Sequence, residues 1–174
     1  LPGTPPTPES NPITPAKIKL GKMLFFDPRL SIDGTVSCNS CHNVMYSGTD
    51  NRSVSVGVNG KKGGRSAPTV WNAAYLSAQF WDGRSASLEE QAKGPILNPI
   101  EMGMPDPASV IKRLEKIDGY KKLFALAFGG NSPITYDNLA KAIATYERTL
   151  ITPNSPVDKY LLGDKKALSM SAQR

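Results

Sequence analysis

The 174 residues carry 21 Lys and Arg against 15 Asp and Glu, a surplus of six positive charges that could draw an acidic partner but is also an ordinary solvated surface. No basic run with interleaved aromatics occurs, which leaves nucleic-acid binding without support, and the longest apolar run, Leu123 to Phe128, is far too short to span a bilayer. The length suits one domain, and fifteen Pro with fifteen Gly predict helices broken by irregular segments.

Six prolines fall in residues 1 to 15 without apolar periodicity, so residues 1–14 read as an extended Pro-rich arm, ordered only if it docks on something. Its first residues have neither the charged nor the apolar region of a secretion signal, and the chain reads as already processed or trimmed. Thr14-Pro15 supplies a cap and a first-turn proline, and Ile18, Leu20, Leu24 and Phe25 give the helix that follows its apolar face. Asp27-Pro28 ends it.

Next comes Cys38-Asn39-Ser40-Cys41-His42, the spacing that attaches a c-type haem. Thiols at i and i+3 project from one side of a helical turn, where each can add across a haem vinyl, and the adjacent imidazole can bind the iron axially. A zinc site needs about four ligands, whereas the chain has two Cys and one His. A redox C-x-x-C belongs in a βαβ context that is missing here. A Cys38–Cys41 disulfide is the remaining alternative. Covalent haem implies export to the periplasm or an equivalent oxidising space, with the haem at the centre of the core.

From Asn43 to Pro68 the chain is rich in Gly, Ser and Asn and reads as a long loop able to cover or uncover one face of the iron. Val54 to Val58 alternates like a strand, but Gly57 weakens that reading. Ser87-Leu88-Glu89-Glu90 is a capping box opening a short helix that Gly94-Pro95 should stop. Asp106-Pro107 opens another, with Val110, Ile111, Leu114 and Ile117 on one stripe and Gly119 marking its end. Tyr120 to Phe128 forms the next. Thr135 caps a longer helix with Leu139, Ile143, Tyr146 and Leu150 inward, and Ser155-Pro156 starts a brief one through Leu162. The predicted fold class is all-α: a cytochrome c-like domain of short helices and long loops around one covalently bound haem.

Several segments together carry a resemblance: Leu20 to Leu30, the haem motif, Arg65-Ser66-Ala67-Pro68-Thr69, Phe80-Trp81-Asp82-Gly83-Arg84, Glu89 to Pro95, and Glu147-Arg148-Thr149-Leu150. Over about residues 15 to 170 the chain resembles the N-terminal, peroxidatic haem domain of bacterial dihaem cytochrome c peroxidases. The resemblance implies a haem domain over 15–165, with 166–174 starting the linker or helix toward a second haem domain absent from this sequence. It implies a periplasmic enzyme reducing hydrogen peroxide to water, with electrons from a small c-type cytochrome or cupredoxin passing through that second haem; it leaves a homodimer open.

By the same resemblance His42 is the proximal iron ligand, Cys38 and Cys41 anchor the haem, Glu101 is the catalytic acid–base, Gln91 its supporting donor and Trp81 an aromatic at the haem edge that carries electrons. Read from residue chemistry alone, Glu101 is a surface or capping carboxylate, Gln91 a solvent-facing helix residue and Trp81 a core aromatic. Two positions depart from the family. Where many members place a second, loop histidine on the iron, this chain has Val58, so the sixth coordination position should be open without reductive activation. Where the family supplies an Asn to an interdomain calcium, this chain has Ser66, which places that ion in doubt here. Two competing functions remain: an electron-transfer cytochrome with Met45, Met102 or Met104 as sixth ligand, and a scaffold that oxidises a protein side chain through a second haem whose tyrosine ligand would lie in the absent half, Tyr46 and Tyr75 reading as packing residues.

Overall fold

The computed structural model describes residues 1–174. Seven α-helices, with short 3₁₀ turns at Pro28–Leu30, Val58–Gly60 and Ala73–Tyr75, make up the regular structure: α1 Pro15–Phe25, α2 Cys38–Cys41, α3 Leu88–Leu97, α4 Pro107–Glu115, α5 Asp118–Phe128, α6 Tyr136–Glu147 and α7 Pro156–Leu161. The strand-like stretch makes only an isolated bridge, Val56 with Lys62.

The helix starts follow the capping chemistry visible in the sequence. Thr14, Ser87, Asp106, Thr135 and Ser155 each accept a hydrogen bond from a first-turn backbone N–H, satisfying a donor the helix itself leaves free. Two expected stops are not stops. Helix α3 runs through Gly94-Pro95 to Leu97, because Ile96 is fully buried and the Asn98 N–H closes the last turn on the Gly94 and Pro95 carbonyls at 3.1 and 3.3 Å. Gly119 lies inside the first turn of α5, while Lys116 ends α4 and Ile117 caps α5.

Helix α6 is the axis of the domain: α1 crosses it closely, and α3, α4 and α5 pack on it. Gly21 permits the α1 crossing, since a Cβ there would overlap the Ala142 carbonyl oxygen and lie 2.9 Å from the Tyr146 Cβ. Around that point Leu20, Leu24, Phe25, Phe124, Leu139 and Ile143 are almost wholly buried, and Phe25 meets Tyr146 edge-to-face at 5.3 Å. Each such side chain contributes roughly 1.5–3 kcal/mol on burial, so this apolar seam is the main source of stability for α1 and α6.

The Pro-rich arm is docked. Asn11 is fully buried and donates to Glu89 Oε1 at 2.8 Å and to the Lys141 carbonyl at 3.0 Å, while Lys17 Nζ donates to Asn11 Oδ1 and the Pro12 carbonyl. Arg148, at the end of α6, clamps Glu89 on α3 through two N–H···O bonds of 2.7 and 3.1 Å and the arm through the Pro6 carbonyl at 3.1 Å. Beyond α7, residues 166–174 run as turns.

Candidate functional site

Helix α2 is a single turn. Ser37 precedes it and its N–H donates to Ser40 Oγ at 3.0 Å, holding Cys38 and Cys41 at the two ends of that turn as free thiols. Burial pushes both thiols above the ordinary cysteine range, so both are protonated at neutral pH. The chain then leaves the helix at His42, whose N–H donates back to the Cys38 carbonyl at 2.9 Å.

The His42 ring is positioned from the far end of the long loop. Its Nδ1 lies 2.9 Å from the Pro68 carbonyl oxygen, and burial lowers its proton affinity. The neutral ring therefore donates Nδ1–H to Pro68 and keeps the Nε2 lone pair for a metal, the usual arrangement of an axial histidine.

His42 and Cys41 form part of the wall of a cavity of about 630 Å³, within the roughly 300–1,000 Å³ range of cofactor sites. Gln91 from α3, Glu101, Glu147 from the end of α6, Ser55 and Trp81 line the same space. Within the wall, Ser55 Oγ and Glu147 Oε2 are buried polar atoms with no partner. Unsatisfied groups of this kind are rare in a complete fold. A cavity of cofactor size, a bare imidazole nitrogen, the Cys41 thiol on the wall and polar atoms left without partners fit a haem, while Cys38, one turn away, packs against the apolar core and is not part of the wall.

Glu101 sits in the loop after α3. Its Oε1 accepts from Asn98 Nδ2 at 3.0 Å, and burial raises its pKa above the carboxylate norm while Arg84 pulls the other way. Its backbone is held by Val58, whose N–H donates to the Glu101 carbonyl at 2.9 Å. The close approach is made possible by Gly57: a Cβ there would overlap the Ile100 and Glu101 carbonyl oxygens and come within 2.8 Å of Glu101 Cα. Gly57→Ala is accordingly expected to displace the Glu101 loop and to cost about 1–3 kcal/mol of stability, the usual penalty of overpacking. Denaturant unfolding of the variant beside the native chain checks this; an unchanged midpoint would mean that the loop yields without cost.

Val58 itself turns its side chain into the core, where it is 1% exposed. None of the five methionines lines the cavity: Met102 and Met104 are buried in the apolar core and Met45 is 88% exposed. Tyr46 and Tyr75 are off the wall as well, Tyr75 donating to the Pro2 carbonyl. His42 is thus the sole histidine, methionine or tyrosine on the cavity wall.

Trp81 stands at the mouth. It is 64% exposed, and its Nε1 donates to the Ser66 carbonyl at 2.9 Å. Beside it Asp82 bridges Arg65 and Arg84 at 2.9 and 2.8 Å, and both guanidiniums hold its carboxyl at a pKa of about 2. Ser55, Pro68, Arg84 and Glu147 are cavity residues to which the sequence reading assigned no role. Glu147 had a legible signal: it continues the Leu139, Ile143 row at i+4 spacing, placing a carboxylate on the apolar face of α6.

A di-haem cytochrome c peroxidase family model matches residues 15–166. Over 164 residues the chain is 50% identical to a cytochrome c551 peroxidase of Pseudomonas aeruginosa, covering 94% of this chain and 47% of that protein. Over 169 residues it is 44% identical to the methylamine utilization protein MauG of Methylophilus methylotrophus, covering 97% and 50%. A crystal structure of a MauG-like protein associated with microbial copper homeostasis superposes with a TM-score of 0.88 at 35% identity, covering 99% of this chain and 52% of that one. The chain therefore spans about half the length of the relatives it matches.

Proposed function

Because this chain belongs to the di-haem cytochrome c peroxidase family, we propose that it is the haem domain at which an exported, periplasmic enzyme reduces hydrogen peroxide to water. The observation that carries this reading is the pairing of one axial imidazole with a buried carboxyl and an amide, Glu101 and Gln91, in a cavity whose wall offers no second histidine, methionine or tyrosine to the iron.

A haem held here would supply the iron chemistry for peroxide reduction. The residues do the rest. Cys38 and Cys41 would anchor the ring and His42 Nε2 would hold the iron, the imidazole plane set by the Pro68 bond. Glu101 Oε1 is engaged by Asn98, which leaves Oε2 to take a proton from one peroxide oxygen and return it to the other, so that the leaving oxygen departs as water rather than hydroxide. The Gln91 amide donates to peroxide without adding charge. Burial suits Glu101 to this task, because a desolvated carboxylate is a stronger base.

Electrons enter from the mouth. Trp81, with the exposed Leu76 and Ile100 on the same cavity rim, forms the face against which a second haem domain would sit, fed by a small c-type cytochrome or cupredoxin. Relatives named as peroxidases and as MauG proteins both match this half.

Stopped-flow mixing of the haem-loaded ferric chain with hydrogen peroxide and with cyanide tests the proposal. A high-spin ferric spectrum, rapid cyanide binding and a fast spectral change with peroxide are expected. A low-spin ferric protein with a near-infrared methionine–iron band, unreactive to both, would instead make the domain an electron-transfer cytochrome.

A further inference from the structure

Glu147 is the buried acid that the reaction above does not use. It is 5% exposed, lines the cavity and leaves Oε2 without any partner. Its natural counter-ion, the neighbouring Arg148, is committed elsewhere: the guanidinium spends its donors on both oxygens of Glu89 and on the Pro6 carbonyl. The other charged or titratable groups around it are Glu89 on α3, Cys38 on α2 and Tyr146 beside it on α6, and the cavity wall it shares carries His42, Glu101, Asp82, Arg65 and Arg84. Both of those arginines are paired with Asp82, and no hydrogen bond reaches Glu147 Oε2.

An uncompensated carboxylate in a low-dielectric wall is costly, and the cost is avoided by keeping the proton. Burial accordingly pushes the Glu147 pKa up to about 8, against a smaller opposing pull from Arg148. A haem seated in the same cavity would feel that carboxyl directly, since charges in such a site are weakly screened.

We propose that Glu147 is a redox-linked proton site of this haem: when the iron gains an electron the Glu147 carboxylate gains a proton from solvent, and it loses that proton when the electron leaves. The inference rests on the haem-attachment part of the functional reading and not on peroxide chemistry. The balance is one electron to iron from a donor and one proton to Glu147. The sign follows from charge: the ionised carboxylate favours the ferric state, so the reduction potential falls as pH rises through the range in which Glu147 ionises, and is flat below it.

The test is a spectroelectrochemical titration of the haem-loaded chain from pH 6 to 10. For a one-electron couple a tenfold change in proton concentration corresponds to about 59 mV, and the native chain is expected to approach that slope on the alkaline side of neutrality. Glu147→Gln is expected to remove the slope, whereas Glu101→Gln keeps it. A flat native profile, or a slope that survives in Glu147→Gln and disappears in Glu101→Gln, would overturn the proposal. Should Glu147→Gln fail to fold, the native protein suffices: a redox-difference infrared spectrum is expected to show a protonated-carboxyl C=O band that changes with the iron's oxidation state and titrates with the potential. Absence of such a band would overturn the assignment. Protein mass without the haem increment would be a different result, one that removes the haem-domain reading itself.

Discussion

Glu101→Gln should slow the reaction of the haem-loaded chain with hydrogen peroxide by about 10²–10⁴-fold, the usual contribution of a positioned acid–base group, or roughly 3–5 kcal/mol of barrier at 1.36 kcal/mol per tenfold. The substitution isolates the proton. A glutamine Oε1 still accepts from Asn98 Nδ2, and the loop remains tied through the Val58 N–H to the carbonyl of residue 101, so shape and haem attachment are retained. The native rate has a pH signature that the variant lacks. Glu101 must be ionised to accept a proton, and its pKa is raised by burial; the native rate therefore falls as pH drops through that raised value, whereas the variant shows no such limb. Rapid-mixing rates from mildly acid to neutral pH, at constant haem content, measure both features. A rate within a factor of two of native would remove Glu101 from the proton pathway.

Replacing both Cys38 and Cys41 by Ala has the second large effect, acting on the fold as much as on the chemistry. No haem is expected to survive denaturing electrophoresis or acid extraction, because no sulfur remains to bond the vinyl carbons. The consequence for stability follows from the cavity: an attached haem would fill about 630 Å³ bounded by α2, α3 and the end of α6, and a ligand held only by the native state stabilises it in proportion to its occupancy. The double variant should accordingly unfold at lower denaturant and with a shallower transition than the haem-loaded chain. The same burial has a bearing on timing. Both thiols are protonated in the closed fold and only the thiolate is a strong nucleophile, so haem added during folding should be attached efficiently and haem added to the folded chain hardly at all. Equal attachment under the two regimes would show that the site opens readily.

Local chemistry was readable because it depends on neighbours in the chain. The caps at Thr14, Ser87, Asp106, Thr135 and Ser155 are side chains bonding to N–H groups two or three residues on, and the haem motif is a spacing within five residues. Both are set by backbone geometry over one turn. The misreadings at Pro95 and Gly119 come from the opposite source. Each carries a local stop signal, and at Pro95 the burial of Ile96 against the core outweighs one lost backbone bond. The Pro-rich arm reads as a linker for the same reason: nothing near Asn11 in sequence announces Glu89, Lys141 or Arg148.

The candidate site divides along the same line. Spacing alone marks Cys38, Cys41 and His42 as candidates, while Glu101, Gln91 and Trp81 are marked only through a family resemblance, because a carboxylate in a Pro-rich loop has no periodicity to mark it. Ser55, Pro68 and Arg84 reach the cavity from loops whose paths no pattern specifies.

The amino-acid sequence by itself determined the family and the all-α class, and it marks Cys38, Cys41 and His42 as the residues proposed to hold a haem, since such signals rest on interactions along one or two turns. Tertiary structure alone decided that Val58 packs in the core instead of facing the iron, that no methionine reaches the cavity, and that Arg148 is drawn away to Glu89. Those outcomes are competitions among groups far apart in the chain, 59 residues in the case of Arg148 and Glu89 and 142 in the case of Arg148 and Pro6, settled by burial and by which partner lies nearest once the chain has closed. That competition leaves Glu147 Oε2 without a partner, and burial pushes its pKa up to about 8.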